Sequence, residues 1–220
     1  GTIEVIPNGV DIQKFTGEKI AHEGIVLITT SRLVHKNAID DVLRALALLP
    51  ESLQSKIQFQ ILGTGVEEAN LKKLAQKLGL EVGLGKQVQF LGNIDNAEVP
   101  KYLHAADIFV RPSRSEGMGI SFIEAMAAGL PVIATQEGGI ADFLFDAKRN
   151  PKKPTTGWAV DKDSPEQIAE VVKEIINPAN QEQVTRVVEN AQKLVQVKYD
   201  WSLIAKDMRE RVFARVLKTS

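Results

Sequence analysis

The sequence predicts an α/β protein built on a doubly wound parallel sheet with helices on both faces. Two observations carry the prediction. Short apolar runs alternate with segments of about 10–15 residues whose apolar positions recur at helical spacing, the pattern of successive βαβ units. The first run, Ile25-Val-Leu-Ile-Thr-Thr30, lacks the in–out alternation of a half-exposed strand, as expected of a strand covered on both faces. A composition of 44% hydrophobic and 25% charged residues over 220 positions supplies a core for one large domain of this kind or two small ones.

The elements follow in order. Thr2 to Ile6 is a short β-like run closed by the turn residues Pro7-Asn8-Gly9. After Ile25–Thr30 comes a polar loop, Ser31 to Asn37. Ile39, Val42, Leu43, Leu46 and Leu49 then mark a helix that Pro50 ends. Ile57–Leu62 is the next strand, followed by Gly63-Thr-Gly65 and a helix from about Val66 to Leu80 that buries Leu71, Leu74, Ala75 and Leu78. Strand Val88–Leu91, a helix from about Ala97 to Ala105 and strand Ile108–Arg111 continue the alternation. Ile120, Phe122, Ile123, Met126 and Ala127 fall at helical spacings of three and four. Gly129 supplies the left-handed residue that ends such a helix, and Pro131 prevents its continuation into strand Val132–Thr135. Asp146–Thr156 is polar and proline-containing, an exposed loop whose four basic residues have no interleaved aromatic and read as solvated surface. Gly157-Trp-Ala-Val160 is a last short strand. Helices start near Ser164, where Ser-Pro-Glu-Gln reads as a capped start, near Asn180 and near Trp201. Ligands of such sheets sit beyond the carboxyl ends of the strands, so the loops after Thr30, Leu62, Leu91, Arg111 and Thr135 should line one cleft.

Composition excludes several functions. A balance of 27 basic against 28 acidic residues argues against a general nucleic-acid or membrane-surface binder. The chain has no cysteine, hence no disulfide, thiolate zinc site or cysteine nucleophile, which is compatible with a reducing cytoplasm. No apolar run approaches the ~18 residues that span a bilayer, and no signal peptide opens the chain. His22, His35 and His104 show no metal spacing and no Asp-X-Asp pair is present, so no metal site is expected.

The stretch Arg111 to Thr135 carries the chemistry. Glu116 falls in the loop before the central helix and Glu124 about one turn inside it, eight positions on with seven residues between. A helix N-terminus presents unpaired N–H groups and a positive dipole end to an anion, and Gly117 and Gly119 let the backbone approach it closely. Carboxylates do not bind phosphate but accept hydrogen bonds from sugar hydroxyls. A diphosphate with a hydroxyl-rich ring on either side, a nucleotide sugar, fits that combination. A structural turn with two solvated glutamates also fits it.

Ser113-Arg-Ser-Glu-Gly-Met-Gly-Ile-Ser-Phe-Ile-Glu-Ala-Met-Ala-Ala-Gly-Leu-Pro-Val-Ile-Ala-Thr135 closely resembles the signature of the group 1 (family 4) retaining glycosyltransferases. That family carries two glutamates separated by seven residues in the C-terminal half of a two-domain GT-B fold. The resemblance runs from Val5 to about Trp201 and includes Val5-Ile-Pro-Asn-Gly-Val-Asp11, Ser31-Arg-Leu-Val-His-Lys36, Gly63-Thr-Gly65, Val88-Gln-Phe-Leu-Gly92, Ala106-Asp107 and Gly138-Gly139. It implies a Rossmann-like nucleotide-sugar-binding domain over residues 25–200, an inter-domain segment over 1–24, a C-terminal crossover helix over 201–220, and an acceptor-binding N-terminal half absent from this sequence. Apolar side chains on the crossover helix would then be left exposed.

The resemblance also assigns roles. Arg32 and Lys36 match the donor-phosphate cations, which offset charge on the leaving diphosphate as the glycosidic bond breaks. Lys36 stands four positions after Arg32, where many family members show five. Glu116 matches the residue that holds hydroxyls of the transferred sugar, and Glu124 the one that takes the ribose hydroxyls. Backbone groups of Gly117, Met118, Gly119 and Ile120 contact phosphates and sugar. Asn93 and Ile94 frame the base, and Gly63 allows close passage of either donor or backbone. Gly138-Gly139 resembles a glycine pair near the cleft floor that starts a helix. Glu116 and Glu124 lie on one loop–helix element, unlike the carboxyls that glycosidases place across the scissile bond. The reaction implied is hexose transfer from a UDP-, GDP- or ADP-hexose to an acceptor hydroxyl, with no cofactor and no metal. The acceptor, a sugar, lipid or small molecule, would be taken by the missing half, which would also make any peripheral membrane contact. This chain alone would bind nucleotide and transfer poorly. Rival readings are a non-enzymatic nucleotide-binding or scaffold domain, a GT-B sugar-nucleotide epimerase, and a nicotinamide-dependent oxidoreductase. The last needs Gly-X-Gly-X-X-Gly after the first strand, and Ser31–Lys36 contains no glycine.

Overall fold

The computed structural model describes residues 5–214. The first part of the β-like run expected from Thr2 to Ile6 and the last part of the crossover helix lie outside the described residues, and Val5 and Ile6 belong to no strand. Six strands, β1 (Ile25–Thr30), β2 (Ile57–Leu62), β3 (Val88–Gly92), β4 (Ile108–Arg111), β5 (Val132–Ala134) and β6 (Trp158–Ala159), form one sheet in the order β3-β2-β1-β4-β5-β6. Every pairing is parallel. β1 and β4 are buried along nearly their whole lengths, which is why they read as apolar runs without alternation.

The helices are α1 (Ile12–Phe15), α2 (Ile39–Leu48), α3 (Glu51–Gln54), α4 (Glu68–Lys77), α5 (Val99–His104), α6 (Ile120–Ala127), α7 (Pro165–Ile176), α8 (Gln181–Lys198) and α9 (Trp201–Asp207). One core layer joins Leu27, Phe59 and Val110 to Val42 and Leu46 of α2, Leu71 of α4 and Ile168 and Val172 of α7. The other joins Ile28 and Phe109 to Phe15 of α1, Leu103 of α5, Phe122 and Met126 of α6 and Val195 of α8. Helices thus cover both faces of the sheet, as expected of the doubly wound class.

Local chemistry explains the boundaries. α6 ends in a Schellman motif: Gly129 has φ +79°, its N–H donates to the Met126 carbonyl, and the Leu130 N–H reaches back to the Ala125 carbonyl. Ser164 precedes α7 but its hydroxyl donates to the Lys162 carbonyl, so the capping bond expected there is not made. Past α9 the chain winds into a π-helical turn, Met208–Phe213, and Trp201, Leu203 and Phe213 stand exposed. Val10 exchanges backbone hydrogen bonds with Tyr199 and Trp201, tying the segment before β1 to the α8–α9 junction. Among the described residues no helix is long and apolar enough to cross a membrane.

Candidate donor site

β1 pairs with β2 over six residues but with β4 only at Leu27–Ile108 and Ile28–Phe109. Beyond that point the two strands part, and their carboxyl ends frame a cleft of about 420 Å³. The loop after β1 contributes Arg32, Lys36 and Asn37; the end of β4 and its loop contribute Arg111, Glu116, Met118 and Gly119; α6 contributes Ile120 and Ser121; Asn8 closes one side. Larger hollows of about 570 and 870 Å³ lie at the amino ends of β1 and β4 and beside β6. They lack this convergence of charge at strand carboxyl ends, where ligands of such sheets bind.

Arg111 organises the cleft. It closes a strand buried at all four positions and is itself only 5% exposed. One Nη donates to the Thr30 carbonyl (2.9 Å) and the Ser121 hydroxyl (2.8 Å), and the other to Glu116 Oε2 (2.8 Å). The guanidinium also lies 4.1 Å from the centre of the Phe122 ring, which meets Phe109 edge-on at 5.5 Å. Burial lowers its pKa to about 10, against the opposing charges of Glu116 and Glu124, so it remains a cation at neutral pH.

Lys36 reaches the other carboxylate oxygen of Glu116 at 3.9 Å, despite its short spacing from Arg32. A 3₁₀ turn, His35–Asn37, followed by Ala38 in the left-handed region at φ +54°, brings it over the cleft. Arg32 stands exposed on the rim and pairs with no carboxylate among the described residues. Three cations therefore face one carboxylate, a balance that favours an anionic ligand. Buried polar atoms without partners gather at the same strand ends: Thr30 Oγ1, Ser31 Oγ, Asn37 Oδ1, Arg111 Nε and Ser113 Oγ. Such atoms are rare in a finished core and mark where a ligand or water completes the bonding.

The structure brings Arg32, Lys36, Glu116, Met118, Gly119 and Ile120 together as the sequence suggested. Gly119 has φ +72° immediately before α6, a conformation natural to glycine. Gly117 differs from expectation, because its N–H is already taken by Glu116 Oε1 at 3.0 Å. That donor becomes available to a phosphate only if the carboxylate turns away. Glu124 is half-buried one turn deeper and lies outside the cleft lining; burial raises its pKa, opposed by Arg111.

Gly63 also lies outside the lining. A Cβ there would stand 1.9 Å from the Ser31 carbonyl, so the residue serves backbone approach rather than donor contact. Asn93 is exposed after β3, and Ile94 packs against the second core layer. Gly138 and Gly139 open a 3₁₀ turn pressed onto the Glu116–Gly117 backbone, to which the Gly139 N–H donates. Sequence reasoning missed Arg111, Asn37, Ser121 and Asn8. The available signal was a charged residue ending a fully apolar strand, since a buried charge requires a partner. Among the described residues no three His, Cys, Asp or Glu side chains are disposed to hold a metal ion.

Asp40 and Asp41, at the start of α2 behind the cleft, titrate in opposite directions. Burial pushes Asp40 upward, but the hydrogen bond and charge of Arg114 outweigh it. Asp41, 3% exposed, is raised from 3.8 to about 6 by burial and then by Asp40, with Arg114 opposing. Between those values the native state keeps a proton that the unfolded chain has lost, so this group makes stability fall as pH rises, by about 3 kcal/mol in all. Asp41→Asn is expected to flatten that decline in urea denaturation series run from about pH 4 to pH 7. An unchanged slope would refute the assignment.

Comparison with known proteins identifies the family and the fold. Residues 11–194 match the model of the family described as glycosyl transferases group 1. The chain is 28% identical to a GDP-mannose-dependent monoacylated alpha-(1-6)-phosphatidylinositol monomannoside mannosyltransferase of Corynebacterium glutamicum, over 91% of this chain and 53% of that protein. Its fold matches Anabaena Alr3699/HepE in complex with UDP and glucose with a TM-score of 0.79 at 22% identity, over 95% of this chain and 56% of that one. It also matches the C-terminal domain of a glycosyl transferase group 1 family protein, LpcC, from Francisella tularensis, with a TM-score of 0.70 at 25% identity, over 87% of this chain and 98% of that one. The chain spans about half the length of the curated relatives it matches. With the family pattern running through most of its length, the chain belongs to the group 1 glycosyl transferases.

Proposed function

We propose that this chain is the donor-binding domain of a retaining, metal-independent hexosyltransferase. It holds a nucleoside-diphosphate hexose, and a separate N-terminal domain presents the acceptor hydroxyl. The observation that carries the reading is the placement of Arg32, Lys36 and Arg111 around Glu116, in front of α6, where β1 and β4 part. The positive groups suit the diphosphate, which gains charge as the anomeric bond breaks, and Glu116 suits the hydroxyls of the sugar. Glu124 takes the ribose hydroxyls, so ligand binding must draw this half-buried carboxylate into the site. Retention of configuration rests on the likeness of the two-glutamate signature to the family's. Relatives named as GDP-mannose-dependent place GDP first among the nucleotides to try. On its own the chain binds nucleotide and transfers poorly, because the acceptor surface belongs to the other domain.

Calorimetric titration with UDP, GDP, ADP and NAD, in EDTA, tests the reading beside Glu124→Ala and Arg32→Ala. One nucleoside diphosphate should bind, and each variant should weaken it roughly ten- to a hundredfold, the value of one charge-assisted contact. Preference for NAD, or affinity unchanged in both variants, would overturn it.

A further inference from the structure

We infer that Arg114 is a positioning residue that holds Lys36 in place over the cleft, an inference that rests on the donor-site reading above. The side chain of Arg114 points away from the ligand space and is absent from the cleft lining. It is only 15% exposed and fully engaged. Nε donates to Asp163 at 2.6 Å; one Nη donates to Asp40 (2.8 Å) and to the His35 carbonyl (2.8 Å); the other donates to Asp40 (3.0 Å) and Asp41 (2.9 Å). Its backbone N–H donates to the Lys36 carbonyl at 2.7 Å. One residue of the Glu116 loop therefore grips two peptide carbonyls of the turn that carries Lys36, those of His35 and Lys36, and the two carboxylates that open the next helix.

The need for such a grip follows from the local chain. Lys36 sits in a single 3₁₀ turn whose N-cap side chain makes no bond, and Ala38 beyond it is held at φ +54°. A left-handed alanine costs about 1–2 kcal/mol and persists only where the surroundings over-determine it. Only four positions separate Arg32 from Lys36, and the turn sets the ammonium 3.9 Å from Glu116. Arg114 supplies the over-determination. Its planar fork matches carboxylates bidentately, a geometry an ammonium does not reproduce. Asp40, Asp41 and Asp163 hold the guanidinium in turn, so the clamp is a closed set of charges reaching from the α2 start to the loop before α7.

The test is a double-mutant cycle of Arg114→Gln and Lys36→Met, read as affinity for a nucleoside diphosphate and for the corresponding nucleoside. Arg114→Gln should weaken the diphosphate about tenfold and leave the nucleoside unchanged, and the double variant should lose no more than Lys36→Met alone. Arg114→Lys should recover part of the loss. Additive losses, or equal weakening of nucleoside and diphosphate, would show that Arg114 supports the fold without acting through Lys36. Should Arg114→Gln melt, Asp163→Asn removes one exposed member of the clamp and is expected to weaken diphosphate binding two- to threefold; unchanged binding would overturn the inference. If the wild-type chain binds no nucleotide, the donor reading fails, and amide exchange then judges the clamp. The N–H groups of Asn37 and Ala38, bonded across the turn to Val34 and His35, and that of Asp41, bonded to Ala38 at the start of α2, should exchange at least tenfold faster in Arg114→Gln, and unchanged rates would refute it.

Discussion

Arg111→Met is expected to cost about 3–5 kcal/mol of folding stability, the range for removing one partner of a buried ion pair. The loss is large because the guanidinium serves three acceptors: the Thr30 carbonyl, the Ser121 hydroxyl and Glu116. Without it the Glu116 carboxylate, 13% exposed, keeps the ammonium of Lys36 at 3.9 Å and the Gly117 N–H at 3.0 Å, both on Oε1, and Oε2 is stranded. For a domain of this size the loss corresponds to a fall in Tm of roughly 6–20 °C. Chemical denaturation of Arg111→Met and of the double variant Arg111→Met/Glu116→Gln measures it. The double variant should recover part of the loss, because it removes the stranded charge as well as its partner. A single-variant cost below about 1 kcal/mol would mean that the buried charge is not the element holding the cleft.

Gly138→Ala is expected to act on the ligand as much as on the fold. A Cβ at that position would lie 1.9 Å from the Glu116 carbonyl oxygen, a contact that only backbone displacement can relieve. The left-handed backbone at φ +56° adds a smaller penalty. Because the displaced group is the backbone of Glu116 itself, the carboxylate and the glycines before α6 move with it. A misplacement near 1 Å can cost about a hundredfold in function, and donor affinity should fall by that order. Gly117→Ala is the control: nothing lies within 4 Å of a Cβ there, so it should perturb stability far less. Wild-type affinity in Gly138→Ala would show that the glycine pair does not set the position of Glu116.

Much of the architecture was legible because it rests on local pattern. The strands at Ile25–Thr30 and Ile57–Leu62, the helix at Ile120–Ala127 and its glycine stop stand where apolar spacing and backbone chemistry put them. The short helices α1 and α3, four residues each, are too brief to show a period. The likeness to a known signature drew attention to Glu116, Arg32 and Lys36, which the structure gathers in one cleft. Arg111 and Arg114 stayed hidden because the contacts that tie them to the other side of the cleft are remote in sequence. Arg111 meets Thr30 across 81 positions, and Arg114 meets Asp40 across 74. No spacing rule reports such pairings; they emerge only when the crossover returns β4 to the side of β1. Gly63 is open between donor and backbone on sequence, and its close neighbour is the Ser31 backbone.

The brief pairing of β1 with β4 has a mechanical consequence. Where the peptide ladder between them stops, side chains take over the joining of the two halves of the sheet, through Arg111 to Thr30 and Arg114 to the His35–Lys36 turn. A gap bridged by backbone would zip shut, whereas one bridged by long cationic side chains is propped at a set width. Its braces are charged, so the opening is also electrically polarised. The crevice is in this sense a wedge held ajar, and one of its two braces, Arg111, also stands in the lining that sets the sign of what enters.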